Sequence, residues 1–223
     1  MAPDAVTVLL TGFEAFGADT TNPTQLAVER LAQLPGAVPG VHLVTGVLPV
    51  VFGDALDVLD ALVAQHSPDV VVAAGMASGR TAVTPERFAV NLDEPREGPG
   101  DDGRSVGGAG PQVPGGPVAH ASTLPVDALV AGLRAAGIPA TPSSSAGHYV
   151  CNHVFYGLMH RLAALDRPVT GGFVHVPCSH EQVLTEPDPR PSLSLETITE
   201  ALRLAVALSA APPAGPPRLP GRT

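Results

Sequence analysis

The chain has 223 residues, 44% of them apolar, which is ample for a core in one large α/β domain or two small ones. Its formal charge of -9 includes 12 basic residues, all of them Arg and none clustered, and this argues against a nucleic-acid or anionic-membrane partner. The longest apolar runs, such as 69–76, are too short to cross a bilayer.

Met1-Ala2-Pro3-Asp4 has no basic stretch and leads straight into an apolar run, so no secretory leader is expected. Val6-Thr7-Val8-Leu9-Leu10, closed by Thr11-Gly12, fits a buried parallel strand. The loop 12–17 carries Phe13 and Phe16. These either plug the core or form an apolar wall at the carboxyl end of the first strand, where open α/β sheets bind ligands. Asn22-Pro23 opens a helix, with Pro at the first position and Leu26, Val28, Leu31 and Leu34 following. Val41 to Val47 is the second strand. Phe52, Leu56, Leu59, Leu62 and Val63 mark the second helix, which ends near His66, and Asp69 to Gly75 is the third strand. Strands alternating with helices of this length predict right-handed βαβ units and a mostly parallel sheet.

Met76 to Arg80 reads as a loop and Phe88 to Leu92 as a further strand. Residues 97–117 are rich in Gly and Pro without an apolar period, which predicts a long surface loop, functional or mobile. It lacks the Gly-Lys-Ser/Thr ending of a phosphate cradle, and no cofactor is expected. Val126, Leu129, Val130 and Leu133 make a helix ended by Gly137-Ile138-Pro139, and 140–144 reads as a short strand. Val150, Val154, Leu158 and Leu162 then recur every fourth residue, a helix with one buried face fed by the loop Ser145-Ala146-Gly147. Gly172 to Val176 is a short strand stopped by Pro177, with His175 near its carboxyl end. Ser194 caps a last helix through Leu195, Ile198, Leu202, Ala205 and Val206. No linker divides the chain, so 1–210 reads as a single domain and the Pro-rich 211–223 as a disordered tail.

Cys151 falls in the first turn of its helix, where unpaired N–H groups and the positive end of the macrodipole favour a thiolate over a thiol that ordinarily titrates near ~8.5. By itself it fits a small buried apolar residue better than a nucleophile. The other cysteine is Cys178, and free thiols in a cytosolic protein are the simplest reading of the pair. A nucleophilic thiol needs a base and a group to orient that base. His153, two residues on, points about 200° away around the helix, and His160 is more than two turns down it. His180 follows Pro177 in a loop. His175, at the mouth of a different strand, is the leading base and His148 the second. Glu86 is either an exposed carboxylate or the orienter of an imidazole, and Arg96 either a surface residue or a donor to an oxyanion. Cys151-x-His153 and Cys178-x-His180 match no closed zinc pattern, so no metal is assigned.

Four blocks carry a resemblance to pyroglutamyl-peptidase I, the pyrrolidone-carboxylate peptidase family of cysteine peptidases. They are Leu9 to Gly17 with Asn22-Pro23; Thr84-Pro85-Glu86-Arg87 with Ala89-Val90-Asn91 and Arg96; Ser145-Ala146-Gly147 with Val150-Cys151-Asn152-His153 and Tyr156-Gly157-Leu158; and Gly172 to Pro177 with Glu181-Gln182. They run in the family's order over nearly the whole chain. The resemblance implies a three-layer α/β/α sandwich, often a homotetramer in the cytoplasm, and a triad of Cys151, His175 and Glu86 with Arg96 at the oxyanion. It implies removal of an N-terminal pyroglutamyl residue from peptides through a thioacyl-enzyme, in a pocket built from Phe13, Phe16, Asn22, Met76, Tyr149 and Val150. Met76 stands where many members have Gln, Tyr149 where Phe is usual, His148 where Thr is usual, and Cys178 where an aromatic is common. The alternatives are a non-peptidase hydrolase or transferase on the same fold, or a non-catalytic binding protein.

Overall fold

The computed structural model of the chain describes residues 5–94, 109–184 and 186–211. In chain order these form β1 (Val6–Phe13), α1 (Pro23–Ala32), β2 (Val41–Leu48), α2 (Asp54–His66), β3 (Val70–Met76), β4 (Thr84–Pro85), β5 (Phe88–Val90), β6 (Ala119–Ala121), α3 (Val126–Ala135), α4 (Val150–Leu162), β7 (Thr170–Val176), β8 (Cys178–Ser179), α5 (His180–Val183), β9 (Ser192–Leu193) and α6 (Leu195–Ala210).

Successive residues of the central strands face opposite sides, and this alternation sets the layers. Val8 and Leu10 of β1, Val72 and Ala74 of β3, and Val174 and Val176 of β7 pack with α1, α3 and α6. Leu9 and Phe13, Val71 and Ala73, and Phe173 face the other way and pack with α2 and α4. The result is a helix–sheet–helix sandwich around a sheet of order β2-β1-β3-β7-β4. β2, β1, β3 and β7 are parallel, and only β4, at the edge, runs antiparallel to β7. Burial on both faces is why β1 and β3 read as apolar runs rather than as alternation.

α1 starts as its sequence dictates. Asn22 is the N-cap, its Oδ1 accepts from the Thr24 N–H at 3.0 Å, and Pro23 follows where no amide is needed. β1 and α1 meet closely at Gly12. A Cβ there would stand 2.6 Å from the Thr24 carbonyl oxygen and 2.7 Å from its carbon, both backbone atoms. Gly12→Ala is therefore expected to cost about 1–3 kcal/mol of stability, read as a lower denaturant midpoint; an unchanged midpoint would show that the two elements can part freely.

The expected strand over 140–144 is corrected: only isolated parallel bridges, Val83 with Ala140 and Glu86 with Ser143, form there. Gly12 and Phe13 belong to β1 rather than to a loop. β5 stops at Val90 instead of Leu92 and pairs with β6 outside the main sheet. These short elements escape a periodicity reading because two or three residues cannot display a period. Of the 97–117 loop, residues 97–108 lie outside the described residues. Near its end, Asn91 Nδ2 donates to the Val113 carbonyl at 2.8 Å and Asn91 Oδ1 accepts from the Val113 N–H at 2.9 Å. The expected tail, from residue 212 on, also lies outside the described residues. Among the described residues no helix is long and apolar enough to cross a membrane.

Candidate active site

The chain leaves β1 for β2 on one side and returns to β3 on the other, so the carboxyl ends of β1 and β3 flank a switch point where open parallel sheets hold ligands. A cavity of about 320 Å³ lies there, at the lower end of the ~300–1,000 Å³ usual for small-ligand sites. Phe13 from the end of β1, Met76 from the end of β3 and His175 from β7 line it, and the stretch from Ala146 to Cys151 closes it.

Cys151 is the second residue of α4, partly exposed on the cavity, and no disulfide joins it to the buried Cys178. The first helical turn surrounds it with N–H groups that have no acceptor within the helix, which favours a negative sulfur. Asn152 fixes this turn from the next position. Its Nδ2 donates to the Val90 and Leu92 carbonyls at 2.9 and 3.0 Å, and its Oδ1 accepts from the Val90 N–H at 3.0 Å. The sulfur rests over Gly75 of β3, where an added Cβ would stand 3.0 Å from Sγ. Gly75 is the register partner of His175 on β7, so the sulfur lies over the strand residue that neighbours His175.

His175 is 2% exposed. Its Nδ1 faces Glu86 Oε1 at 2.8 Å, and Glu86 is fully buried. β4 delivers that carboxylate: Thr84 pairs with His175, Pro85 with Val174, and the Glu86 N–H donates to the Phe173 carbonyl at 2.9 Å. Proline is tolerated in β4 because the strand is an edge. Burial pushes the His175 imidazole below its ordinary range; the hydrogen bond and charge of Glu86 oppose this, and the charge of Arg80 reinforces it. Since Nδ1 is engaged by Glu86, the other ring nitrogen is left for chemistry at the cavity.

The remaining histidines are held elsewhere. His153 Nδ1 faces Asp93 Oδ2 at 2.7 Å and its Nε2 accepts from the Gly53 N–H at 3.1 Å. His148 lines the cavity but pairs at its rim with Glu94, 2.9 Å away and itself exposed. His160 contacts His120 at 3.2 Å, and His180 opens α5 beside Ser192. No group of three His, Cys, Asp or Glu residues converges as a metal centre among the described residues. Arg96 lies outside the described residues, so its place relative to Cys151 is not part of this geometry.

The expected pocket residues Phe13, Phe16, Asn22, Met76, Tyr149 and Val150 all line the cavity. Tyr149 bridges two rings, with centroids 5.5 Å from Phe16 and 5.2 Å from Phe52. Asn22 spends most of its amide on the scaffold: Oδ1 accepts from the Thr24 N–H and hydroxyl, and Nδ2 donates to the Glu14 carbonyl at 2.9 Å. Gln182 Nε2 reaches both the Thr21 carbonyl at 2.9 Å and the Met76 sulfur at 3.4 Å, tying the loop before α1 to the end of β3. Sequence reasoning singled out neither Asn152, Gln182, Gly75 nor Arg80 for a role. For Asn152, adjacency to Cys151 was the available signal; Gln182 and Gly75 act through residues more than 70 positions away, and Arg80 through Glu86, whose burial the sequence did not reveal.

A family model described as pyroglutamyl peptidase matches residues 6–211. The pyrrolidone-carboxylate peptidase of Bacillus licheniformis is 45% identical over 203 residues, covering 91% of this chain and 92% of that protein. Among solved structures, the pyroglutamyl peptidase I of Bacillus amyloliquefaciens superposes with a TM-score of 0.85 at 40% identity, over 92% of this chain and 97% of that one. A mutant pyrrolidone carboxyl peptidase from the hyperthermophile Pyrococcus furiosus superposes with a TM-score of 0.84 at 37% identity, over 92% and 98%.

Proposed function

Since the chain belongs to the pyroglutamyl peptidase family, cysteine peptidases that remove an N-terminal pyroglutamyl residue from a peptide, we propose that Cys151, His175 and Glu86 carry that reaction in this protein. The observation that supports these roles most is the buried 2.8 Å contact between His175 and Glu86, set beside a cavity that Cys151 shares. The Cys151 thiolate attacks the carbonyl that joins the lactam residue to the next one. His175, oriented through Nδ1 by Glu86, gives its other ring proton to the leaving amine. It then takes a proton from the water that hydrolyses the thioacyl-enzyme. Glu86 keeps the ring in one orientation and favours its charged form while it holds the extra proton. The amides at the start of α4 favour the developing oxyanion, and Arg96 is a second donor on this reading.

The lactam is small, uncharged and partly apolar. Phe13, Phe16, Met76, Tyr149 and Val150 offer an apolar wall, and Asn22 a directional amide. A free N-terminal Gln or Glu would bring an ammonium that this wall desolvates without a partner, so it is excluded by cost. The family likeness also supports a homo-oligomer, a tetramer by resemblance, acting in the cytoplasm on peptides with N-terminal pyroglutamate.

The test is release of amine from a chromogenic pyroglutamyl amide, with glutaminyl and prolyl amides as comparison, before and after iodoacetamide. Release from the pyroglutamyl compound alone is expected, with loss of activity in step with an adduct mapped to Cys151 and not to Cys178. Failure to release amine would favour a binding protein or a different transferase, and full activity with Cys151 alkylated would reject the thiol mechanism.

A further inference from the structure

Arg80 sits on the turn after β3 and lines the same cavity as Cys151 and His175. Its side chain is 23% exposed, yet its guanidinium reaches inward to Glu86. Nη1 stands 2.8 Å from Glu86 Oε1, the oxygen that also faces His175 Nδ1 at 2.8 Å. Nη1 donates to Thr84 Oγ1 as well, and Nη2 donates to the Ser145 carbonyl at 2.9 Å. Glu86 Oε2 is buried without a hydrogen-bond partner among the described residues. A fully buried carboxylate in that position is costly to ionise unless a cation lies against it. A guanidinium with donors in a fixed fork can serve the carboxylate and a backbone carbonyl together, which a point charge cannot.

We propose that Arg80 is a positioning residue for the reaction: it pairs with Glu86 and keeps it aimed at His175, and it ties that pair to the loop from Ser145 that walls the cavity ahead of Cys151. This rests on the reading of Cys151, His175 and Glu86 as the reacting set. Arg80 touches the substrate's partners rather than the reacting atoms, so it acts through Glu86 and the loop.

Two charged groups act on the His175 ring, Glu86 from the segment after β4 and Arg80 from the turn after β3, and Cys151 lines the same cavity from the first turn of α4. Burial lowers the His175 proton affinity, Glu86 raises it and Arg80 lowers it further. Removing the positive charge therefore raises the affinity of His175 for a proton. His175 acts while it carries the proton that it gives to the leaving amine, so the alkaline limb of kcat/KM, where that proton is lost, moves up.

The experiment measures kcat and KM against pH on a pyroglutamyl amide for the unaltered protein, Arg80→Gln, Arg80→Lys and Cys151→Ala, with Tm and near-ultraviolet circular dichroism for each. Arg80→Gln keeps amide donors for Thr84 and Ser145 but removes the charge. It is expected to lower kcat roughly 10–100-fold, part of the ~10²–10⁴ that a positioned acid–base group supplies. Its alkaline limb is expected to rise by about one pH unit, the size of effect that a neighbouring charge has. Arg80→Lys retains the charge without the fork, and should hold the alkaline limb near its original place while recovering part of kcat. The proposal is overturned if both variants leave the alkaline limb unmoved, whether kcat falls or not, because a wall or packing role alone would give that result. It is also overturned if Arg80→Gln stays within about threefold of the unaltered kcat. If the unaltered protein releases no amine, or Cys151→Ala is as active as it, the fault lies in the triad reading and the Arg80 proposal falls with it.

Discussion

Cys151→Ala is expected to lower kcat for a pyroglutamyl amide by about 10⁴-fold or more, with the protein still folded. On the proposed mechanism the side chain removed carries the attacking atom, and nothing else lining the cavity is a comparable nucleophile: Ser78 and the Tyr149 hydroxyl would have to be deprotonated against much higher proton affinities. His175→Ala should cost about as much, and the double variant little more, because members of such a set work as a unit and their losses do not add. Glu86→Gln leaves the shape but turns an acceptor-only group into one that also presents an amide N–H to Nδ1, and the equivalent loss in serine triads is about 10⁴-fold. Each variant is checked by kcat, KM and Tm together. Glu86 is fully buried against Arg80 and His175, so its removal also takes the carboxylate away from the Arg80 guanidinium. For that reason the Gln variant, not Ala, is the fair comparison. Activity surviving in Cys151→Ala would rule out the sulfur. Activity lost in His148→Ala but kept in His175→Ala would move the base to the rim, where His148 pairs with Glu94.

Gly75→Ala is the second large effect, and it comes from a residue with no chemistry of its own. The added methyl would stand 2.9 Å from Phe173 Cζ and 3.0 Å from Cys151 Sγ, closer than ordinary carbon contacts. Phe173 has nowhere to retreat: it is fully buried, with ring centroids 6.3 Å from Phe13 and 5.9 Å from Phe155. The sulfur, on the partly exposed side, is the atom that yields. A displacement on the order of 1 Å at the reacting atom can cost ~10²-fold in kcat, and the overpacking about 1–3 kcal/mol of stability. The expected signature is a fall in kcat larger than any rise in KM, together with slower alkylation of Cys151 by iodoacetamide. A kcat within about twofold of the original would mean that Phe173 or the β3 backbone absorbs the methyl instead, and that the sulfur position is less constrained than the register suggests.

How much was legible depends on the reach of each signal. α4 was visible because Val150, Val154, Leu158 and Leu162 repeat with the helix, and its first turn placed Cys151 at a helix N-terminus without any tertiary information. β1 and β3 were visible as apolar runs because both faces of the sheet are covered, and β7 as a short strand stopped by Pro177. Glu86 was harder. It looks like an ordinary surface carboxylate between Pro85 and Arg87, yet it is fully buried. Family resemblance singled it out; no local pattern did. β4, which carries it inward, is two residues long and pairs with a strand some 90 positions later, so no window along the chain could contain both partners.

By itself the sequence determined the alternation of strands and helices, the cap at Asn22-Pro23, the start of the helix bearing Cys151, and the family, because each of these is written in neighbouring residues or in blocks of them. The tertiary structure alone decided which imidazole meets the carboxylate, that Arg80 bridges Glu86 and Ser145, and that Gly75 leaves room for the sulfur. Those facts depend on register between strands and on distances between side chains far apart in the chain. A periodic pattern records only whether a residue faces the core or water, and it carries no information about which distant residue it will face there.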